Sequence, residues 1–335
     1  MPQAPFRTFR MTRRRALTGS AAGLVVFGLL LWWLLPLGEE TPGGTATFST
    51  GTRNGVYVRY GNLLKEALAH DLPRLDVTLD ESQGSWDNVT RVATGKADFT
   101  IAAADAVAKY QDEGRPGAER LRGCVRLYDD YMQLVVPRDS PVRKVADLRG
   151  KKVAVGGARS GVQLIAEKVL AAADLDMHKD IQPVELGISD MADALTSGKI
   201  DAFFWSGGLP TTNVKELSKK FPIRLVEMGS LLDRLREQSD PSARYYRAAV
   251  MPADAYPRAQ QGKTVNTLAV ANLLVTTDRT SPELTEAVTR TVIDSRDGIG
   301  NQVHAAQLVD LRTAVYTDPL ALHEGARRYY RSVKP

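Results

Sequence analysis

Thr50-Gly51-Thr52-Arg53-Asn54-Gly55-Val56 and, further along the chain, Gly156-Gly157-Ala158-Arg159-Ser160-Gly161-Val162 share the pattern Gly-x-Arg-x-Gly-Val. Each follows a short β-type run (residues 46–50 and 152–155) and opens a segment of helical periodicity (56–69, and from Val162 to about Ala173). Working outward, the order repeats. After the first helix come a strand at 75–79, a turn Ser82-Gln83-Gly84-Ser85, a helix at 86–94 and a buried strand at 99–102. After the second come a strand at 182–186, a helix at 191–196 and a strand at 201–205. A second echo keeps the register: Thr94-Gly95-Lys96-Ala97-Asp98 answers Ser197-Gly198-Lys199-Ile200-Asp201. Two echoes in one order point to a duplicated α/β lobe.

The repeated turn has a chemical consequence. A strand that ends in a Gly-rich turn and feeds a helix leaves the first N–H groups of that helix without intrahelical partners. Those donors and the positive end of the helix dipole favour an anionic group, and small residues let it approach the backbone. In open α/β sheets ligands collect at the carboxyl ends of strands, where these turns lie. Asn, Ser and Thr also cap helices with no ligand in view. A single such turn would be read that way, but three in a duplicated layout favour a ligand cleft between two lobes.

Charge and metal chemistry narrow the classes. Arg7, Arg10, Arg13, Arg14 and Arg15 precede the first acidic residue, Glu39; without them Lys plus Arg and Asp plus Glu balance at 39 each, so the net charge of +5 is no argument for nucleic-acid binding. Cys124 is alone, and His70, His178, His304 and His323 are far apart in sequence, so neither a disulfide nor a metal site is expected, and no cofactor. Asp129 and Asp130 are adjacent, so in a strand they face opposite ways and make no catalytic pair. No nucleophile elbow or phosphate loop stands in context, and an enzyme is not expected.

Residues 16–37 carry no charge and run through Leu24-Val25-Val26-Phe27-Gly28-Leu29-Leu30-Leu31-Trp32-Trp33-Leu34-Leu35. Such a run can span a bilayer as one transmembrane helix, with the arginines held cytoplasmic and the tryptophans at the far interface. Residues 1–15 are then a basic cytoplasmic segment, 38–44 a linker, and everything beyond is extracytoplasmic at the cell membrane. A cleaved signal is the competing reading. The bulky end of the run, without a small-x-small site, weighs toward an uncleaved single-pass anchor.

Several stretches resemble the TAXI family of periplasmic receptors, the solute-binding subunits associated with TRAP transporters. They include Phe48-Ser49-Thr50-Gly51-Thr52-Arg53-Asn54-Gly55-Val56-Tyr57, Gly84-Ser85-Trp86-Asp87-Asn88-Val89, Leu127-Tyr128-Asp129-Asp130-Tyr131, Asp147-Leu148-Arg149-Gly150-Lys151-Lys152-Val153 and Asp201-Ala202-Phe203-Phe204. The resemblance implies a two-lobed periplasmic-binding-protein type II fold with hinge strands near 131–137 and 267–276. Lobe one is then 45–135 plus 271–330, and lobe two is 136–270. It also implies a receptor that captures a small carboxylate or amino-acid-like ligand for membrane permease subunits. A tethered sensory or accessory protein acting on a protein partner is the alternative. Carried over residue by residue, the pocket takes Thr52, Asn54, Tyr57, Ser82, Gly84, Ser85, Asp105 and Tyr131 from lobe one. From lobe two it takes Arg159, Ser160, Gly161, Trp205, Ser206 and Gly208. Asp105 is placed to meet an ammonium group, while Arg53, Arg159 and the bulk of Trp205 favour a more anionic or smaller ligand than glutamate.

Overall fold

β-Strands form where the sequence alternates or stays apolar. Leu75–Asp80 buries every second residue at first and pairs on one side, whereas Phe99–Ala103 is buried throughout and lies inside the sheet. The computed structural model describes residues 41–53 and 55–333. Its strands are β1 (Gly44–Ser49), β2 (Leu75–Asp80), β3 (Phe99–Ala103), β4 (Leu121–Pro137), β5 (Lys152–Ala154), β6 (Gln182–Val184), β7 (Ala202–Gly207), β8 (Ile223–Val226), β9 (Tyr246–Met251) and β10 (Val265–Thr277). The helices that matter for the site are α1 (Val56–Asp71), α2 (Ser85–Ala93), α3 (Ala104–Asp112), α4 (Gly161–Ala172) and α5 (Ile188–Thr196). The predicted strand–turn–helix order holds in both repeats.

All strands belong to one mixed sheet in the order β2-β1-β3-β10-β4-β7-β5-β6, with β8 paired to β4 and β9 to β10. Parallel pairs are joined by helices, as β1, β2 and β3 are through α1 and α2. The two long strands hold the halves together. β4 pairs with β10 up to Tyr131, and from there with β7 and then β8. β10 pairs with β9 over Val265–Val270 and with β3 from Asn272 onward. Seventeen residues of β4 reach roughly 55 Å when extended, enough to serve both halves. The partner exchange falls at Tyr131 and Val270–Asn272, inside the stretches expected to cross between lobes.

Buried polar contacts fix the strand ends that carry the site. Asn88, fully buried on α2, accepts from Ser49 Oγ (2.7 Å) and donates to the carbonyls of Thr50 (2.6 Å) and Ile101 (2.9 Å). One side chain thereby ties the ends of β1 and β3 to the first turns of α2 and satisfies its own amide. Among the described residues no helix is long and apolar enough to cross a membrane. The segments expected at 1–15 and 16–37 and the start of the 38–44 linker lie outside the described residues.

Candidate ligand-binding cleft

Gly55, Gly84, Ala103, Ser160 and Gly187 immediately precede α1, α2, α3, α4 and α5, and all five line one cleft. The cleft is lined from both halves of the sheet and is partly open to solvent. Ser160 caps its helix through Oγ, which accepts from Gln163 N at 3.1 Å. The other four cap residues offer no side-chain acceptor. The heads of α1, α2 and α5 therefore keep uncapped N-terminal donors, whereas at the head of α3 the Asp105 carboxyl takes backbone N–H groups. Gly84 sits at φ +116°, a backbone conformation side chains rarely adopt, and a Cβ there would stand 3.6 Å from Gly161 N. The heads of α2 and α4, from opposite halves of the sheet, thus face each other.

The floor is built by a hydrogen-bond chain and two acids. Tyr57 Oη donates to Asn272 Oδ1 at 2.5 Å, so the 3.1 Å contact between Tyr57 and Ser85 must use the Ser85 hydroxyl proton. Ser85 Oγ in turn accepts from Ala103 N at 3.2 Å, at the head of α3. Beside this chain lie Asp130, 5 % exposed, and Asp105, 1 % exposed, both lining the cleft. Tyr246 at the start of β9 donates to Asp105 Oδ2, while Asp105 Oδ1, Asp130 Oδ1 and the Trp205 indole nitrogen have no partner. Burial pushes Asp130 up to about 7, helped by the neighbouring charges of Asp129 and Asp105 and opposed by the Asn272 amide. Burial also raises Asp105, against the Tyr246 hydrogen bond and the charge of Lys168.

Most of the expected residues meet here. Thr52, Tyr57, Gly84, Ser85 and Asp105 line the cleft from one side, and Ser160, Gly161, Trp205 and Ser206 from the other. Ser82 stands behind the turn: its Oγ donates to Thr50 O (3.2 Å) and accepts from Gly84 N (3.0 Å). Tyr131 opens on a separate groove with Arg247, Val250 and Asn266, because strand alternation turns it away when Asp130 faces the cleft. Arg159 is exposed at φ 62°, and only its backbone nitrogen is engaged, donating to Gln163 Oε1 at 2.8 Å. Gly208 packs on Ala305, where a Cβ would come within 2.5 Å of the Ala305 Cβ. Asn54 lies outside the described residues. Arg53 reaches Glu81 at 3.5 Å on the surface. Neither arginine lines the cleft, so of the three side chains behind the expectation of a more anionic or smaller ligand only Trp205 is in the lining.

Sequence reasoning passed over Asp130, Gln83, Gly187 and Val270, all of which line the cleft. Asp130 was legible: it precedes Tyr131 in an expected hinge strand, and period-two alternation puts only one of the two on the ligand side. Gly187 was hidden because the helix after β6 starts at Ile188, a turn earlier than its apolar pattern indicates.

This arrangement is the two-lobed α/β fold of periplasmic solute-binding proteins, with a cleft at the strand crossover. The chain belongs to the NMT1-like family, whose model matches residues 48–333. It is similar to the alkanesulfonate-binding protein SsuA from Xanthomonas axonopodis pv. citri, solved bound to MOPS, at 17% identity over 87% of this chain and 84% of that one, TM-score 0.51. It is also similar to a putative L-cystine ABC transporter from Listeria monocytogenes, at 15% identity over 79% of this chain and 98% of that one, TM-score 0.50. At these identities the likeness speaks for the fold.

Proposed function

We propose that the protein is an extracytoplasmic receptor that closes residues 45–135 plus 271–330 and residues 136–270 around a small carboxylate or amino-acid-like solute and delivers it to membrane transport subunits. The observation that carries this reading is the convergence of five helix N-termini, from both halves of the sheet, on one cleft. The uncapped heads of α1, α2 and α5 offer partial positive charge and backbone donors to a carboxylate, with Ser160, Trp205 and Ser206 also in the lining. A ligand that touches both α2 and α4 binds the closed arrangement better than any open one, and that difference drives closure. The uncharged run at 16–37 serves as the tether, which keeps the cleft near the membrane. The resemblance in sequence favours a TRAP-type permease as recipient, whereas the Listeria structural neighbour carries an ABC transporter's name.

A thermal-shift screen of the full-length chain against amino acids and small mono- and dicarboxylates tests the receptor reading. A ligand at about 100 times its dissociation constant adds about 2.7 kcal/mol. A rise confined to one chemical class supports a receptor. A well-folded sample that responds to none contradicts it and turns attention to a protein partner. Co-purification with the neighbouring membrane subunits distinguishes TRAP-type from ABC-type delivery.

A further inference from the structure

The charge inside the cleft is one-sided. Among the described residues that line it, Asp105 and Asp130 are ionisable acids and none is Lys, Arg or His. Both carboxyls are almost wholly buried, both residues line the cleft, and each has one oxygen without a hydrogen-bond partner. The Asn272 amide lies at Asp130 and the N–H groups at the head of α3 lie at Asp105, but these neutral donors bring no full positive charge, and the cleft lining holds no cation for either acid. The nearest cation does not supply that charge. Lys168 lies 5.8 Å from the ring of Tyr246, the residue that bonds Asp105, and is itself engaged by Asp240 at 2.8 Å and by Ser242.

We infer that Asp105 and Asp130 form a cation subsite, and that the ligand carries a protonated amine with at most one carboxylate. This rests on the receptor reading and narrows it. The amine donates to the two free acid oxygens, and the carboxylate takes the N–H groups at the heads of α2 and α4 and the unpartnered Trp205 N–H. Dicarboxylates and acidic amino acids are disfavoured, because their second carboxylate finds no side-chain cation in the lining and meets two acids. Hydrogen bonds from two tyrosines anchor the floor of the subsite. Asn272 is held by Tyr57 on one side of Asp130, and Tyr246 fixes Asp105. The titratable groups near the Asp130 carboxyl are Tyr57 from α1, Asp105 from α3, and Tyr128 and Asp129 from its own strand.

Calorimetric titration of the detergent-solubilised full-length chain with matched pairs tests this: alanine against propionate, glutamine against glutaramate, and ornithine against glutamate. The inference expects alanine and glutamine to bind at least tenfold tighter than their amine-free partners, and ornithine tighter than glutamate. Asp130→Asn and Asp105→Asn should each remove most of that preference. With the unaltered protein, affinity for the amine-bearing compounds should fall about tenfold from pH 8 to pH 6, as a carboxyl titrating near neutrality takes up its proton, while glutaramate does not follow. Equal or tighter binding of the amine-free acids, or a preference that survives both substitutions, overturns the cation subsite and leaves the receptor intact. Failure of every compound to bind overturns both.

Discussion

Gly84 and Gly161 face each other across the cleft, so close that a Cβ on Gly84 would lie 3.6 Å from the Gly161 nitrogen and one on Gly161 only 3.1 Å from Ser85 Oγ. The halves of the molecule meet here over the two glycines and the small side chains of Ser85 and Ser160. Gly161→Val should therefore prop the cleft open with little harm to the fold, since Gly161 has an ordinary helical backbone and begins α4. Ligand affinity should drop at least tenfold, about 1.4 kcal/mol, and the radius of gyration in solution scattering should no longer shrink on ligand addition. Global stability should change by less than about 1 kcal/mol. Gly84→Val is the poorer test, because its φ of +116° adds backbone strain of its own.

Asp130 should destabilise the empty protein at neutral pH. Its folded-state pKa of about 7 lies above the ordinary value of 3.8, chiefly through burial. The stabilising contribution of the protonated acid is complete below about pH 4 and is lost as pH rises through 7. Asp130→Asn, which keeps the shape and cannot ionise, should therefore raise stability at pH 8, by up to about 4 kcal/mol, and do little at pH 4. Urea melts of both proteins across that range check it. A gain that does not grow with pH would contradict the assignment of a buried, poorly solvated carboxyl.

The fold was readable because its signals are local and repeated. Gly51-x-Arg53-x-Gly55 and Gly157-x-Arg159-x-Gly161 each sit between a strand and a helix in the structure as in the sequence. The hinge strands at 131–137 and 267–276 came from the family resemblance, and the structure's β4 and β10 contain them and run further. The site residues on turns were carried over from the family resemblance, and several of them line the cleft. What sequence did not resolve was direction. Arg53 and Arg159 stand in the right turns but point to solvent, and Asp130 rather than Tyr131 faces the cleft. Contacts made across many residues left no local trace either: Tyr246 with Asp105, or Gly208 with Ala305.

Lys168 and Asp240 should respond unequally to removal. Lys168 is 5 % exposed and held at 2.8 Å by Asp240, whose side chain is 28% exposed. Burial works against the Asp240 charge, yet the hydrogen bonds from Lys168 and Ser242 hold its carboxyl down to about 2. Asp240→Asn strands a buried ammonium and should cost about 3 kcal/mol. Lys168→Met leaves an acid that water can reach and should cost about 1 kcal/mol. Equal costs in denaturant unfolding would contradict this account of the pair.

Arg53→Ala and Arg159→Gly should leave ligand affinity within about twofold, because both side chains point away from the cleft and an exposed ion pair such as Arg53–Glu81 is worth little. Arg159→Gly should also stabilise slightly, by about 0.5 kcal/mol, since glycine suits the left-handed φ of 62°. A tenfold loss of affinity in either variant would return an arginine to the binding site.

The most direct test of the central claim is to watch the indole N–H of Trp205 as ligand is added. With selective tryptophan labelling of the full-length chain, Trp205→Phe assigns that resonance. Trp86, packed against Tyr110 at 5.4 Å and under Arg115 at 5.5 Å away from the cleft lining, serves as an internal control. Titration with alanine, glutamine and ornithine should move the Trp205 signal saturably and leave Trp86 in place. A compound that stabilises the protein yet leaves Trp205 unmoved would contradict a ligand site in this cleft.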